Sequence, residues 1–186
     1  MNDSRLHLDF DALRNGQVGI SATYGSFLAE AASHCLHFHQ HQNPTLLSIT
    51  GDHTTAGTLA WCDAGDLEQT TWADLHEATE YGAYAVGIIV ALRLTEKSRV
   101  ERSVRGTGVD YWISDGEDQD GLFQRTARLE ISGLLKGGEA RMAARLRGKV
   151  LQTQRSDSLG LPAYIAIVDF SEPEARFVQA KGGPGL

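Results

Sequence analysis

Two carboxylates interrupt otherwise apolar segments of this 186-residue chain: Asp110 within GVDYWI at 108–113 and Glu130 within ARLEISGLL at 127–135. A carboxylate inside such a segment is costly to bury unless it is paired or binds a metal. If the two segments pair as strands, the side chains converge. Their hard oxygens then suit Mg2+ or Mn2+, which can polarise a phosphate and activate water for in-line hydrolysis. Glu80 stands on the preceding helical segment and shares a face with Glu77 and His76, at i, i+3 and i, i+4 spacing. The same residues also suit a purely structural role, in which Asp110 pairs with Arg128.

The elements that would position these groups follow from periodicity. Apolar residues at three- and four-residue spacing predict a helix over 72–94, capped by Thr71 with Asp74 three residues on. Strands are predicted at 98–104, 108–113 and 127–135, with the acidic loop SDGEDQDGLFQR before the last. A helix over 139–154 carries Met142, Ala143, Leu146 and Val150 on one stripe and its arginines off it. YIAIVDF reads as a buried central strand and 176–179 as an edge strand. Upstream, an apolar segment at 6–13 precedes a helix over 21–39, then strands at 45–50 and 58–62 joined by GDHTTAG. A strand–helix–strand step favours a parallel pair, and tight loops favour antiparallel ones. The expected fold is α/β, a mixed β-sheet flanked by helices.

The order helix, three strands, helix, strand over residues 72–170 resembles the PD-(D/E)xK, or restriction-endonuclease-like, nucleases. In them an Asp on the second core strand and a Glu on the third bind the metal. A Lys two residues after that Glu acts on the water, and a further Glu often sits on the first helix. The resemblance implies a restriction-endonuclease-like αβββαβ core with an N-terminal helix-plus-strands extension. It places Asp110, Glu130 and Glu80 at the metal and makes Mg2+ or Mn2+ the cofactor. GTGVDYWI resembles the glycine-containing approach to the metal-binding Asp. The sequence departs where Lys is expected: the residue is Ser132, which has no charge. Arg128, on the same strand face as Glu130 and Ser132, could supply a cation, or Lys136 or Lys149 could swing in. Without such a replacement the domain would only bind. The implied activity is phosphodiester hydrolysis on DNA or RNA, within a bacterial or phage-defence assembly. The alternative is a catalytically inactive interaction subunit with the same fold.

Bulk properties constrain these readings. With 41% hydrophobic and 22% charged residues the chain is expected to fold rather than stay disordered. A net charge of −7 argues against nucleic-acid binding by bulk electrostatics and directs attention to a local patch at Arg141, Arg145, Arg147 and Lys149. Of these, Arg141, Arg145 and Lys149 are the candidates for phosphate contact. No P-loop or GxSxG elbow occurs. There is no basic-then-apolar start and no membrane-length apolar run, so cytoplasmic residence without a membrane partner is expected. Cys35 and Cys62 read as reduced, buried small hydrophobes. The segment from His34 to His41 suggests a solvated helix end, or a metal site in which His34, His37 and His41 line up, with His53 and Cys62 as the further ligands, serving a small metal-binding regulator. Three units are expected: residues 1–70 as a docking element or extra sheet layer, offering a protein partner or self-association; 71–180 as the core; and 181–186 as a flexible tail.

Overall fold

The computed structural model describes residues 5–62, 65–116 and 124–180. The N-terminal apolar segment divides into β1 (Leu6–Leu8) and a short α1 (Asp11–Arg14). Asp9 makes the break, its Oδ1 accepting the Asp11 N–H at 2.9 Å. Helix α2 (Ala22–Phe38) starts where the Ser21 hydroxyl accepts the Tyr24 N–H. The hairpin β2 (Thr45–Gly51) and β3 (Thr55–Leu59) has a tighter turn than the sequence suggests. The polar stretch after residue 65 forms a short helix, α3 (Asp66–Thr71).

Helix α4 (Leu75–Thr95) begins three residues later than predicted. Thr71 does not cap it, because its hydroxyl donates to Leu67 O at the end of α3. Asp74 is the cap instead, accepting from the N–H groups of His76 and Glu77. Trp72 is buried in the bend, its indole N–H on Glu30. From Ala78 to Leu92 nearly every α4 residue is buried, because the helix lies between the sheet and α2. No helix among the described residues is long and apolar enough to cross a membrane.

Strands β4 (Arg99–Arg102), β5 (Tyr111–Ser114) and β6 (Ala127–Leu134) follow. Then come α5 (Glu139–Thr153), a 3-10 helix (Gln154–Leu159), β7 (Ala163–Asp169) and β8 (Glu174–Ala180). Part of the acidic loop, 117–123, and the tail, 181–186, lie outside the described residues. Among those described, eight strands form one mixed sheet in the order β1-β3-β2-β8-β7-β6-β5-β4. The segment read as an edge strand is therefore interior. β8 pairs antiparallel with β7 and parallel with β2, and its Ala175 and Phe177 are buried. The β2–β8 pairing carries the sheet across from the first 70 residues into the rest of the chain.

The two sheet faces are covered differently. α4 lies on one face, and α5 lies on the other through Met142, Leu146 and Val150 against Leu134, Ile165 and Ile167. Helices α2 and α4 cross closely at Gly82, where a Cβ would stand 2.9 Å from Ala32 Cα. We expect Gly82→Ala to lose about 1–3 kcal/mol in urea unfolding through overpacking of this crossing. Gly148→Ala, with nothing within 4 Å of its Cβ, should be neutral or gain up to about 1 kcal/mol from helix propensity. Equal stability of the two variants would show that the helix crossing yields without cost.

Candidate active site

The site forms where the β5–β6 ladder stops. The antiparallel register ends at Tyr111↔Leu129, so Asp110 lies just before β5 rather than within it. The backbone turns there: Gly108 has φ +79°, and a Cβ on it would meet Gln152 O at 2.6 Å. Asp110 keeps main-chain bonds to both sides, its N–H on Leu129 O and its C=O accepting from the Ser103 N–H, and its side chain extends the pairing by one bond, Oδ2 accepting the Ile131 N–H at 2.9 Å. On β6, Leu129 and Ile131 face the main core, while Glu130 and Ser132 face α5. The parallel β6–β7 pair requires a crossover, and α5 is that crossover. Helical spacing brings Arg145, Lys149 and Gln152 of α5 onto the face over β6.

Glu130 has 0% exposure. Its Oε1 accepts from Lys149 Nζ at 2.5 Å and from Gln152 Nε2 at 2.8 Å, and Lys149 also donates to Gln152 Oε1 at 3.2 Å. Its Oε2 is buried without a hydrogen-bond partner among the described residues. Burial, followed by the nearby Asp110 carboxylate, pushes the Glu130 carboxyl up to about 7, against the pull of Lys149. The Asp110 carboxyl is also raised, chiefly by burial, although the Ile131 N–H, Lys149 and Tyr84 oppose this.

A tyrosine joins the third carboxylate to the pair. The Tyr84 hydroxyl lies 3.1 Å from Glu80 Oε1 and 3.2 Å from Asp110 Oδ1, so its single proton serves one of them at a time. Burial and the two carboxylates raise the phenol well above its ordinary range. Arg102 braces this region, donating to the hydroxyls of Tyr24 (2.6 Å) and Tyr111 (2.8 Å) and stacking 4.8 Å from the Tyr84 ring centre.

The structure gathers some of the sequence candidates and removes others. Arg128 does not pair with Asp110. All five of its donors are engaged elsewhere, on Leu161 O, Thr153 O, Ser156 Oγ and Asp157 Oδ1, where it ties the 3-10 helix to β6. Lys136 is exposed past the end of β6, and its carbonyl accepts from Arg141. Ser132 accepts from Arg145 Nη1 at 2.9 Å. The cation beside Glu130 is Lys149, from α5 rather than from β6. Tyr84 and Gln152 escaped the sequence reading, although each stands one helical turn from a candidate, at Glu80 plus four and Lys149 plus three.

Among the described residues no group of three or more His, Cys, Asp or Glu side chains is placed to hold a metal ion. Glu80 thus reaches Asp110 through Tyr84 and does not complete a three-carboxylate cluster. The histidine segment is not a solvated helix end. His34 is buried with both ring nitrogens unpartnered among the described residues, and His39 and His41 meet the carbonyls of Leu135 and Phe170. Of the cysteines only Cys35 is buried, which pushes its thiol up to about 12. Cys62 is exposed, 2.7 Å from Arg14 Nη1.

A cleft borders Glu80 and Lys149. A cavity of about 470 Å³ lies between the first turns of α4, the end of β6 and α5, bordered by Glu80, Tyr84, Ser132, Arg145 and Lys149. It shares Leu134, Arg145 and Lys149 with a second hollow of about 690 Å³ that continues past Lys136 and Arg141. Comparison with protein-family models, curated proteins and solved structures gave no match.

The carboxyl of Glu130 gives a stability test. Its folded value of about 7 lies above its ordinary 4.5, so between these values the folded chain holds more protons than the unfolded one. Its contribution therefore falls as pH rises through the window. Relative to Glu130→Gln, the wild type should lose thermal stability progressively from pH 4.5 to 7. Parallel melting profiles would mean that this carboxyl titrates normally.

Proposed function

We propose that this chain is a metal-dependent phosphodiester hydrolase, a nuclease acting on DNA or RNA, with a restriction-endonuclease-like core formed by α4, β4, β5, β6, α5 and β7. The observation that carries this reading is Lys149. Its ammonium reaches Glu130 beside Asp110 and so supplies from α5 the cation that Ser132 cannot. It does so beside a cleft bordered by Glu80 and by the cations Lys136, Arg141 and Arg145.

The donor set fits Mg2+ or Mn2+. Glu130 Oε2 is buried with no donor to satisfy it among the described residues, and the Asp110 carboxylate is close enough to raise its pKa. Mg2+ is commonly held by one or two carboxylates, with water and substrate phosphate filling the remaining positions. Asp110 and Glu130 would hold the ion, which when bound supplies Lewis acidity toward a phosphate and lowers the pKa of a water. The protein's part is positioning and charge. Ile131 N–H and Tyr84 fix Asp110, and Gln152 fixes the Glu130–Lys149 pair. Lys149 then faces the negative charge that grows on the phosphate as water adds to phosphorus and the ester oxygen leaves with a proton. Arg145 and Arg141 draw the strand's phosphates along the cleft.

One observation favours the second reading, an inactive interaction subunit docking through its first 70 residues. Lys149 already neutralises Glu130, and no third acidic ligand joins the pair among the described residues. Turnover separates the two readings. With Mg2+ or Mn2+, wild type should cleave DNA or RNA, while Asp110→Ala and Lys149→Ala should each lose about 100-fold or more. Equal turnover by wild type and Asp110→Ala would remove the hydrolase reading and leave the binding subunit. Arg141→Ala should weaken nucleic-acid binding across sequences and lower the salt slope by about one.

A further inference from the structure

We infer that the cavity bordered by Glu80 and Lys149 is a slot for one unpaired base, so that the strand this chain engages is single-stranded or frayed at the site. The inference rests on the nuclease reading for its ligand class and on the geometry of the β6 edge for its content.

β6 outruns its neighbour. Beyond Leu129 no described strand pairs with β6 on the β5 side. Main-chain groups alternate between the two sides of a strand in a parallel ladder. Leu134 O bonds toward β7, accepting from Phe170 N, whereas Leu129 O and Ile131 N bond to Asp110 on the other side. The N–H and C=O of Gly133 therefore point to that other side, where the cavity lies. An amide edge of this kind offers one donor and one acceptor side by side, the pattern a nucleobase presents on its own edge. Residues 131–135 line the cavity in unbroken succession, so the strand edge itself, rather than one face of the strand, forms its wall.

The α4 wall is mixed, with Thr79, Glu80 and Tyr84 beside aliphatic side chains, and suits a flat ring with polar edges. Leu75 in the first turn of α4 and Leu135 at the end of β6 supply the aliphatic surface. The cations stand on one side only, Arg145 and Lys149, continuing to Arg141 and Lys136 in the adjoining hollow. A strand whose phosphates follow the α5 cations thus has a base directed at the slot and its backbone along Lys149, the residue that bonds Glu130. The volume, about 470 Å³, lies within the range of small-ligand pockets. A base still paired in a duplex cannot enter, because its hydrogen-bonding edge is occupied and it is stacked on both faces.

The test is binding, measured in EDTA so that no hydrolysis intervenes. Fluorescence anisotropy would compare a labelled single-stranded oligonucleotide with the blunt duplex of the same sequence, as DNA and as RNA. Single strands should bind about tenfold or more tightly than the duplex, and the DNA and RNA arms identify which sugar the cleft accepts. Leu75→Trp, which fills the slot from its rim, should cost single-strand affinity about tenfold, one base contact, and leave the duplex unchanged. A 2-aminopurine base in the strand should change its emission on binding wild type but not Leu75→Trp. Thermal melting checks that the variant folds. If it does not, Leu135→Trp replaces it from the opposite wall. Equal affinity for duplex and single strand, or an unchanged single-strand affinity in a folded slot-filled variant, overturns the slot. Selective single-strand binding without cleavage under Mg2+ or Mn2+ would uphold the slot while removing the hydrolase reading.

Discussion

Glu130 has no contact with solvent, and a carboxylate in that position must be matched or protonated. Much of the local architecture answers that requirement. Lys149 and Gln152 reach one oxygen from α5, and the neighbouring Asp110 raises the cost of ionising the other. The result is a carboxyl that titrates near neutrality while a lysine is held against it. Lys149 offsets part of the repulsion between two carboxylates that burial has made expensive.

The geometry follows from a strand that stops early. β5 ends its pairing at Tyr111, and the strand edge that it leaves open on β6 does two things. It lets a side chain, Asp110, take a main-chain hydrogen bond, which fixes that carboxylate as firmly as a ladder would. It also leaves room for the cavity between α4 and α5. The crossover between β6 and β7 then brings α5 over the Glu130 face with its polar stripe inward and its Met142, Leu146 and Val150 stripe on the sheet. One helix thereby serves packing, charge compensation and the wall of the cleft.

Charge is distributed to the same end. The chain carries a net charge of −7, yet the cleft is bordered by Lys136, Arg141, Arg145 and Lys149. Non-specific attraction to a polyanion is therefore weak away from the cleft, where positive charge is gathered locally against the field of the whole protein. Arg128 shows the opposite use of an arginine. Buried and with all its donors engaged, it holds the 3-10 helix against β6 and contributes nothing to the cleft.

The sequence by itself determined the α/β class, the mixed sheet flanked by helices, and the candidacy of Asp110 and Glu130. Apolar periodicity and the cost of a carboxylate in an apolar segment are local properties, readable from neighbours along the chain. It also places an uncharged residue, Ser132, two positions after Glu130. What only the tertiary structure decided is which cation meets Glu130 and from where. Arg128 shares a strand face with Glu130, but strand spacing says nothing about the carbonyls across the sheet that capture its guanidinium. Lys149 is 19 residues from Glu130 in sequence, and only the crossover brings them together. The interior position of β8 was equally hidden, because alternating burial looks the same on an edge strand as on one whose second partner, β2, lies more than a hundred residues away. Pairing between distant segments is set by the sum of burial over the whole sheet, and no local window of sequence contains it.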